Sequence, residues 1–404
     1  MPKIVSGGRL IARLPGAMGD RAVTRMRVLE LCTEFGGGGI ARHVLDLSQA
    51  LREMGHEITC AGSAGVLLDK KIDPAFFPLP IVSVSDAGGA VPSRVLGAFR
   101  CARLLRARLG LQPVDLIHCH ESAPALVARL ATLGMRIPIL VTYHGSEPGR
   151  VRQFGAIAHR CAQTVITPSR HCADDLHRRG GVPRDRLRVI GLGIKPAPVV
   201  DKSRVSQTRS ELLGKDGKTL VVVVARATYQ KGLDILVHVV ARALQRRNDV
   251  RFVVAGEGPL LDSIRALARE QKVDAHMHFL GHIASPYTLL YAADLFLLTS
   301  RWEALPISIV EAMRAGLPVV AADVGDVREL VDSTTGAVVP MGDVDAFAGH
   351  VLRIAADDGL RAGMSSAALK RAKEERFSPA FVHKEFERLY RSTLERARGR
   401  AGPE

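Results

Sequence analysis

The sequence predicts an α/β protein built from two doubly wound parallel-sheet units that face each other across a cleft. Strand-sized apolar runs alternate with helical periodicity from end to end. A polar stretch with two prolines, from 196 to about 217, interrupts that alternation, and the pattern then restarts. At 404 residues the chain is also longer than one hydrophobic core normally serves.

The first unit is expected over 26–195 and the second over 196–378, with an end helix over 379–404. Residues 1–25 precede the first strand pattern and carry no apolar core of a secretory signal, so a poorly ordered tail is expected there. Segment 26–32 reads as a strand and is followed by a glycine loop. A helix then places Ile40, Val44, Leu47 and Leu51 on one stripe, and Gly55 stands where a C-cap belongs. Further strands are expected at 57–61, 114–118, 137–143, 164–167 and 187–190. In the second unit they fall at 219–225, 250–255, 277–280, 295–298 and 318–321. After Pro379 an amphipathic helix aligns Val382, Phe386, Leu389 and Leu394, a stripe that must dock, and packing back toward the first unit is expected.

Composition narrows the function. No apolar run reaches the length of a membrane span, and nothing points to export, so a cytoplasmic protein is expected. The six cysteines form no CxxC pair and most sit in apolar stretches, as buried thiols do. The net charge of +15 is uneven: residues 1–195 carry 27 Lys and Arg against 15 Asp and Glu, whereas the remainder carries 29 against 26. A basic first half implies an anionic partner. Nucleic acid is disfavoured, because only 4% of residues are aromatic and no recognition motif is present. An anionic membrane surface and a phosphate-bearing acceptor both remain, beside plain solvated surface charge. The helix from Pro92 to about Leu109 sets Arg94, Arg100, Arg103, Arg106 and Arg108 among Leu96, Phe99, Leu104, Leu105 and Leu109.

The most informative segment is ADLFLLTSRWEALPISIVEAMRAGLPVVAADVGDVRELV, in which Glu303 and Glu311 stand eight apart. A glutamate in the first turn of a helix can be a simple cap, but two acids bracketing a nearly uncharged loop are not explained that way. VVVVARATYQKGLDILV puts Arg226 and Lys231 beyond a strand end, where two cations and a helix N-terminus make an anion site. FGGGGIARHVLDLSQAL is a glycine loop opening a helix, and DLIHCHESAPAL puts His118 and His120 at a strand end, where residues two apart share a face. Two such histidines raise the question of a metal, but no third ligand at suitable spacing is evident. The glycine loop lacks the GxGxxG spacing of a nicotinamide-binding fold.

Taken together, these segments resemble the retaining GT-B glycosyltransferases of family 4, over residues 26 to about 390. The pieces FVVAGEGP, FLGHI, VTYHG and VITPSRHCADDL agree with it. The resemblance implies that Glu311 bonds the ribose hydroxyls of a nucleotide-sugar donor. It implies that Glu303, with the backbone of Ala304 and Leu305, holds the transferred sugar, and that Arg226 and Lys231 clamp the diphosphate. Gly38 and Gly39 would face the donor from the first unit, and His120 would lie close to the reacting carbon. Two departures stand out: Ala304 replaces a glycine, and Gly191, Leu192 and Lys195 replace Pro, Asn and Asp. The implied activity is retaining, metal-independent transfer to a glycan or lipid-linked acceptor in polysaccharide or glycolipid synthesis, with no cofactor. The only Asp-x-Asp, at 343–345, begins a helix pattern and reads as a cap. A soluble sugar-phosphate synthase, an epimerase on the same fold and a non-catalytic nucleotide-sugar-binding subunit remain as alternatives.

Overall fold

The computed structural model describes residues 25–36, 39–69, 71–81 and 91–399. Gly38, and all of the expected tail except Arg25, lie outside them. The first unit runs β1 (Arg27–Glu34), α1 (Gly39–Glu53), β2 (Glu57–Ser63), β3 (Phe77–Pro78), α2 (Val91–Leu111), β4 (Leu116–His120) and α3 (Ser122–Ala131). It continues with β5 (Ile139–Thr142), α4 (Val151–Cys161), β6 (Thr164–Thr167), α5 (Arg170–Arg178) and β7 (Leu187–Val189).

The second unit follows with α6 (Lys202–Leu213), β8 (Thr219–Val224), α7 (Leu233–Leu244), β9 (Val250–Ala255), α8 (Leu261–Glu270), β10 (Met277–Gly281) and α9 (Tyr287–Ala292). Next come β11 (Leu295–Leu298), α10 (Ile307–Arg314), β12 (Val319–Ala322), α11 (Val327–Leu330), β13 (Gly336–Val339), α12 (Val344–Ala356) and α13 (Asp358–Arg371). The last helix is α14 (Pro379–Gly399).

Both sheets are parallel, with strand orders β3-β2-β1-β4-β5-β6-β7 and β10-β9-β8-β11-β12-β13. The order reverses at β1/β4 in one sheet and at β8/β11 in the other, and the crevices at such switch points are where open α/β sheets take ligands. The strands are mostly apolar because helices cover both faces; Leu220–Val222 and Leu295–Leu297, for example, are wholly buried.

Two of the boundaries that differ from the sequence reading bear on the site. β4 runs on to His120 because its register with β1 continues to the pair Cys32↔His120. Both histidines are therefore strand residues. α10 begins at Ile307, so Glu311 is its fifth residue rather than part of the first turn. The proline at 306 precedes the helix, and Ile309 and Val310 turn into the core. Capping no longer explains Glu311, because the amides a cap satisfies lie in the turn before it.

α14 lays Val382, Phe386, Leu389 and Tyr390 against Met26, Val28, Leu47, Leu51 and Ile58 of the first unit. The departing segment before the linker is held from both sides: Lys195 pairs with Asp46 at 2.7 Å, and Arg314 donates to the Ile194 carbonyl at 2.7 Å. Asp343 accepts from the Ala346 amide at 3.0 Å as the cap of α12.

Candidate active site

Two loops of the second unit meet at the switch point. The turn after β8 carries Lys231, whose Nζ lies 2.6 Å from Glu303 Oε1 in the loop after β11. Ser300 Oγ donates to the same oxygen at 2.6 Å. The Glu303 side chain is only 6% exposed and that of Lys231 20%, so the pair is formed largely out of water. Gly232 adopts φ 60, and a Cβ there would stand 2.2 Å from the Thr299 carbonyl oxygen, so the close approach of the two loops requires glycine. Thr299 Oγ1 donates back to the Gly232 carbonyl at 2.9 Å, and Gln230 Nε2 donates to the Trp302 carbonyl at 3.0 Å. Arg301 clasps Asp234 at the start of α7. Arg226 is exposed just beyond β8.

Glu311 is half-buried on α10. Burial pushes its carboxyl up from the ordinary value, against the pull of Arg314 and of Arg42. Arg42 lies on α1 of the first unit, so the field at Glu311 is shared across the cleft. Ala304 and Leu305 follow Glu303 directly. The Ala304 methyl faces the first unit: a Cβ on Gly145 would come within 2.7 Å of it. Asp326 makes a second contact between the units, accepting from the amides of Arg170 and His171 at 3.1 and 2.9 Å.

On the first-unit side, Gly39 opens α1 and is exposed. The resemblance puts His120 beside the transferred sugar, but the structure puts it beneath the cleft surface. It is wholly buried, and both ring nitrogens are engaged: Nε2 with Glu30 Oε2 at 2.8 Å, Nδ1 with His144 Nε2 at 3.1 Å. The imidazole nearer the cleft is His144, which is half-buried and stacks on His120 with ring centroids 5.3 Å apart.

Glu30, on β1 opposite His118, is the third group the sequence did not reveal. Ligand-type atoms of Glu30, His118 and His120 lie within 4.8 Å of one another. Each already has a protein partner. Tyr390 donates to Glu30 Oε1 at 2.8 Å and meets His118 Nδ1 at 2.6 Å, while His118 Nε2 meets Thr142 Oγ1 at 2.7 Å. The cluster is thus a closed hydrogen-bond network. Burial alone would raise the Glu30 carboxyl, yet the imidazoles of His118 and His120 outweigh it and hold the group below the usual carboxylate range. Burial pushes His120 down to about 4 and His43, on α1 beside it, down to about 3. The neutral tautomers follow. A carboxylate only accepts, so His120 Nε2 carries the proton, its Nδ1 accepts from His144 Nε2–H, and His144 Nδ1 is left as an acceptor.

Beside His144 the strand ends of the first unit line an open cavity of about 330 Å³ that Trp302 also borders. Glu121 lines it and holds φ 89, an unusual conformation for a residue other than glycine that costs of order 1–3 kcal/mol. Its carboxylate accepts from Thr33 Oγ1 at 2.7 Å.

Two doubly wound sheets meeting at their switch points, with a buried Lys–Glu pair on one lip, define a transferase of GT-B architecture. Residues 205–371 match the family described as glycosyl transferases group 1, and residues 37–197 match glycosyltransferase family 4. The chain belongs to this glycosyltransferase family, which retains anomeric configuration and works without a metal ion. It is 27% identical to the phosphatidyl-myo-inositol mannosyltransferase of Mycolicibacterium smegmatis, over 87% of this chain and 90% of that one. It is also 27% identical to a glycosyltransferase of Methanocaldococcus jannaschii, over 89% and 95%. Among solved structures, Anabaena HepE in complex with UDP-glucose superposes with TM-score 0.77 at 21% identity, covering 91% of this chain and 100% of that one.

Proposed function

We propose that this chain moves a sugar from a nucleotide-diphosphate donor to a glycan or lipid-linked acceptor in the synthesis of a cell-surface polysaccharide or glycolipid. The buried Lys231–Glu303 pair with Ser300 carries the reading, because it fixes a cation and a carboxylate at the lip of a switch-point crevice. Arg226 and Lys231 meet the diphosphate, Glu311 the ribose, and Glu303 with the backbone of Ala304 and Leu305 the transferred sugar. Gly39 faces the donor from the other side. The role that the resemblance gives to His120 passes to His144, which His120 holds in one tautomer. The acceptor oxygen bonds to the anomeric carbon as the bond from that carbon to the diphosphate oxygen breaks. The acceptor proton leaves with the diphosphate. A panel of nucleotide sugars tests this by thermal stabilisation and turnover. One donor should raise the unfolding temperature and be consumed with acceptor present, and stabilisation by none would reject the reading.

Positive charge at the leaving group comes from side chains and amides in this account. Transfer is expected to continue after exhaustive dialysis against EDTA. Loss of activity that Mg²⁺ or Mn²⁺ restores would reject that assignment.

An anionic membrane surface at the cytoplasmic face is the proposed setting. No described helix is long and apolar enough to cross a membrane. The stripe expected on α2 divides in two. Leu105 and Leu109 are buried in the first unit, whereas Leu96 is 72% and Phe99 56% exposed. Arg106 donates to the carbonyls of Ala131 and Leu133, and Arg108 lies over the Phe77 ring. Exposed Arg100 and Arg103 are left beside the apolar pair. Each cation near anionic lipid contributes about 1 kcal/mol. The protein should therefore float with anionic but not neutral vesicles at low salt, and Arg100→Glu with Arg103→Glu should abolish flotation. Binding indifferent to both salt and these changes would exclude the surface.

A further inference from the structure

We infer that the cavity beside His144 is the acceptor subsite and that it selects a neutral or amine-bearing sugar ring over a phosphorylated one. The inference rests on the transferase reading and names the substrate class of its second site. The cavity adjoins the donor loop, since Trp302, which borders it, immediately precedes Glu303. A ring held there lies next to the place assigned to the transferred sugar, as an attacking hydroxyl requires.

Its chemistry is that of a carbohydrate site. Trp302 is the only tryptophan in the chain and lines the cavity, and an indole is a ring on which the apolar side of a pyranose stacks. The charged groups in the lining are Glu121, Glu147 and Arg150. Arg150 Nε lies 3.7 Å from Glu147 Oε2, so its charge is already opposed. The cavity therefore has an excess of carboxylate, inside the half of the chain with an excess of 12 cations. Carboxylates accept from sugar hydroxyls and pair with an ammonium, but they repel a phosphate. The neutral His144 adds a further acceptor, and Gln153 both donates and accepts. Glu121 is held in its strained conformation with its carboxylate tied to Thr33, the kind of arrangement that collects at ligand clamps. A phosphate-bearing headgroup would meet two carboxylates and one engaged guanidinium.

Trp302 supplies the readout, because no other tryptophan contributes to the emission. The full-length chain, saturated with UDP, is titrated with panels of neutral, amine-bearing and phosphorylated monosaccharides. Saturable changes are expected from members of the first two panels and not from the third. Glu121→Gln should weaken an amine-bearing sugar about ten-fold, roughly 1.4 kcal/mol, and weaken a neutral sugar less. Glu147→Gln provides a second variant at an exposed position and should relax the exclusion of phosphorylated sugars. Tightest binding by a phosphorylated sugar, no response to any panel, or an equal loss for charged and neutral rings in Glu121→Gln would overturn the inference. Nucleotide-induced thermal stabilisation is measured separately. Its persistence alongside failed sugar titrations would reject the acceptor class alone, and its absence would reject the donor reading.

Discussion

Lys231→Ala is expected to lower turnover by about 10²-fold or more while the protein stays folded. Two losses combine. The departing diphosphate loses a preorganised cation, and removing one such electrostatic donor typically costs about 10²–10³ in rate. Glu303 also loses the partner 2.6 Å away and keeps only Ser300, so a nearly buried carboxylate is left undercompensated and free to move from the sugar it is assigned to hold. Lys231→Arg should recover only part of the rate, since a planar fork does not fit a position made for a point charge 20% exposed. Glu311→Ala should act differently, chiefly raising the donor KM, because it loses a ribose contact made in ground and transition states alike. Steady-state kinetics on variants with unchanged unfolding temperature separate these outcomes. Near-normal turnover in folded Lys231→Ala would remove this side chain from the site.

The elements legible in the sequence were those whose signal is local. Leu220 to Val223 is a run of buried aliphatics, and no other element suits such a run at the start of a βα unit. The acids around the 303–311 loop were visible because charge is rare in that stretch. What the sequence hid depends on neighbours in space. β4 reaches His120 because β1 offers it a partner, which periodicity does not record. β13 (GAVV) opens on a glycine, a residue depleted in strands, and its place in the sheet comes from its pairing with β12. Glu30 left a trace, a lone carboxylate inside an apolar strand, and such a group must find partners when buried. The partners come from β4 and from Tyr390, 360 positions away, so only the fold could name them. His120 illustrates the same limit. A motif gives the residue type at a strand end, but tautomer and burial are set by Glu30 on one side and His144 on the other.

Replacing Glu30 by alanine is expected to produce the largest loss of stability of any change considered, about 3–5 kcal/mol, because several buried donors lose one shared acceptor at about 1–3 kcal/mol each. The Tyr390 hydroxyl and the imidazoles of His118 and His120 would all lose their acceptor in a wholly buried space. α14 is fastened to the first unit through this point, so Tyr390→Phe should cost less, about 1–2 kcal/mol, because it removes a single hydroxyl and keeps the ring packed. The cluster also fixes how stability responds to acid. In the folded chain His120 is held at about 4 and His43 at about 3, below the ordinary value near 6.5. Between those limits the unfolded chain binds more protons than the folded one, so stability rises with pH across the window. It is complete above about 6.5 and is lost as pH falls toward about 4. Urea titrations at successive pH values should show a decline steeper than one ionising group produces, about 1.4 kcal/mol per pH unit. In Glu30→Ala the decline should reach to lower pH, since His120 no longer has a carboxylate to favour its proton. A wild-type chain equally stable at pH 6.5 and 4.5, or a Glu30→Ala protein within about 1 kcal/mol of the parent, would show that the network is not closed as described.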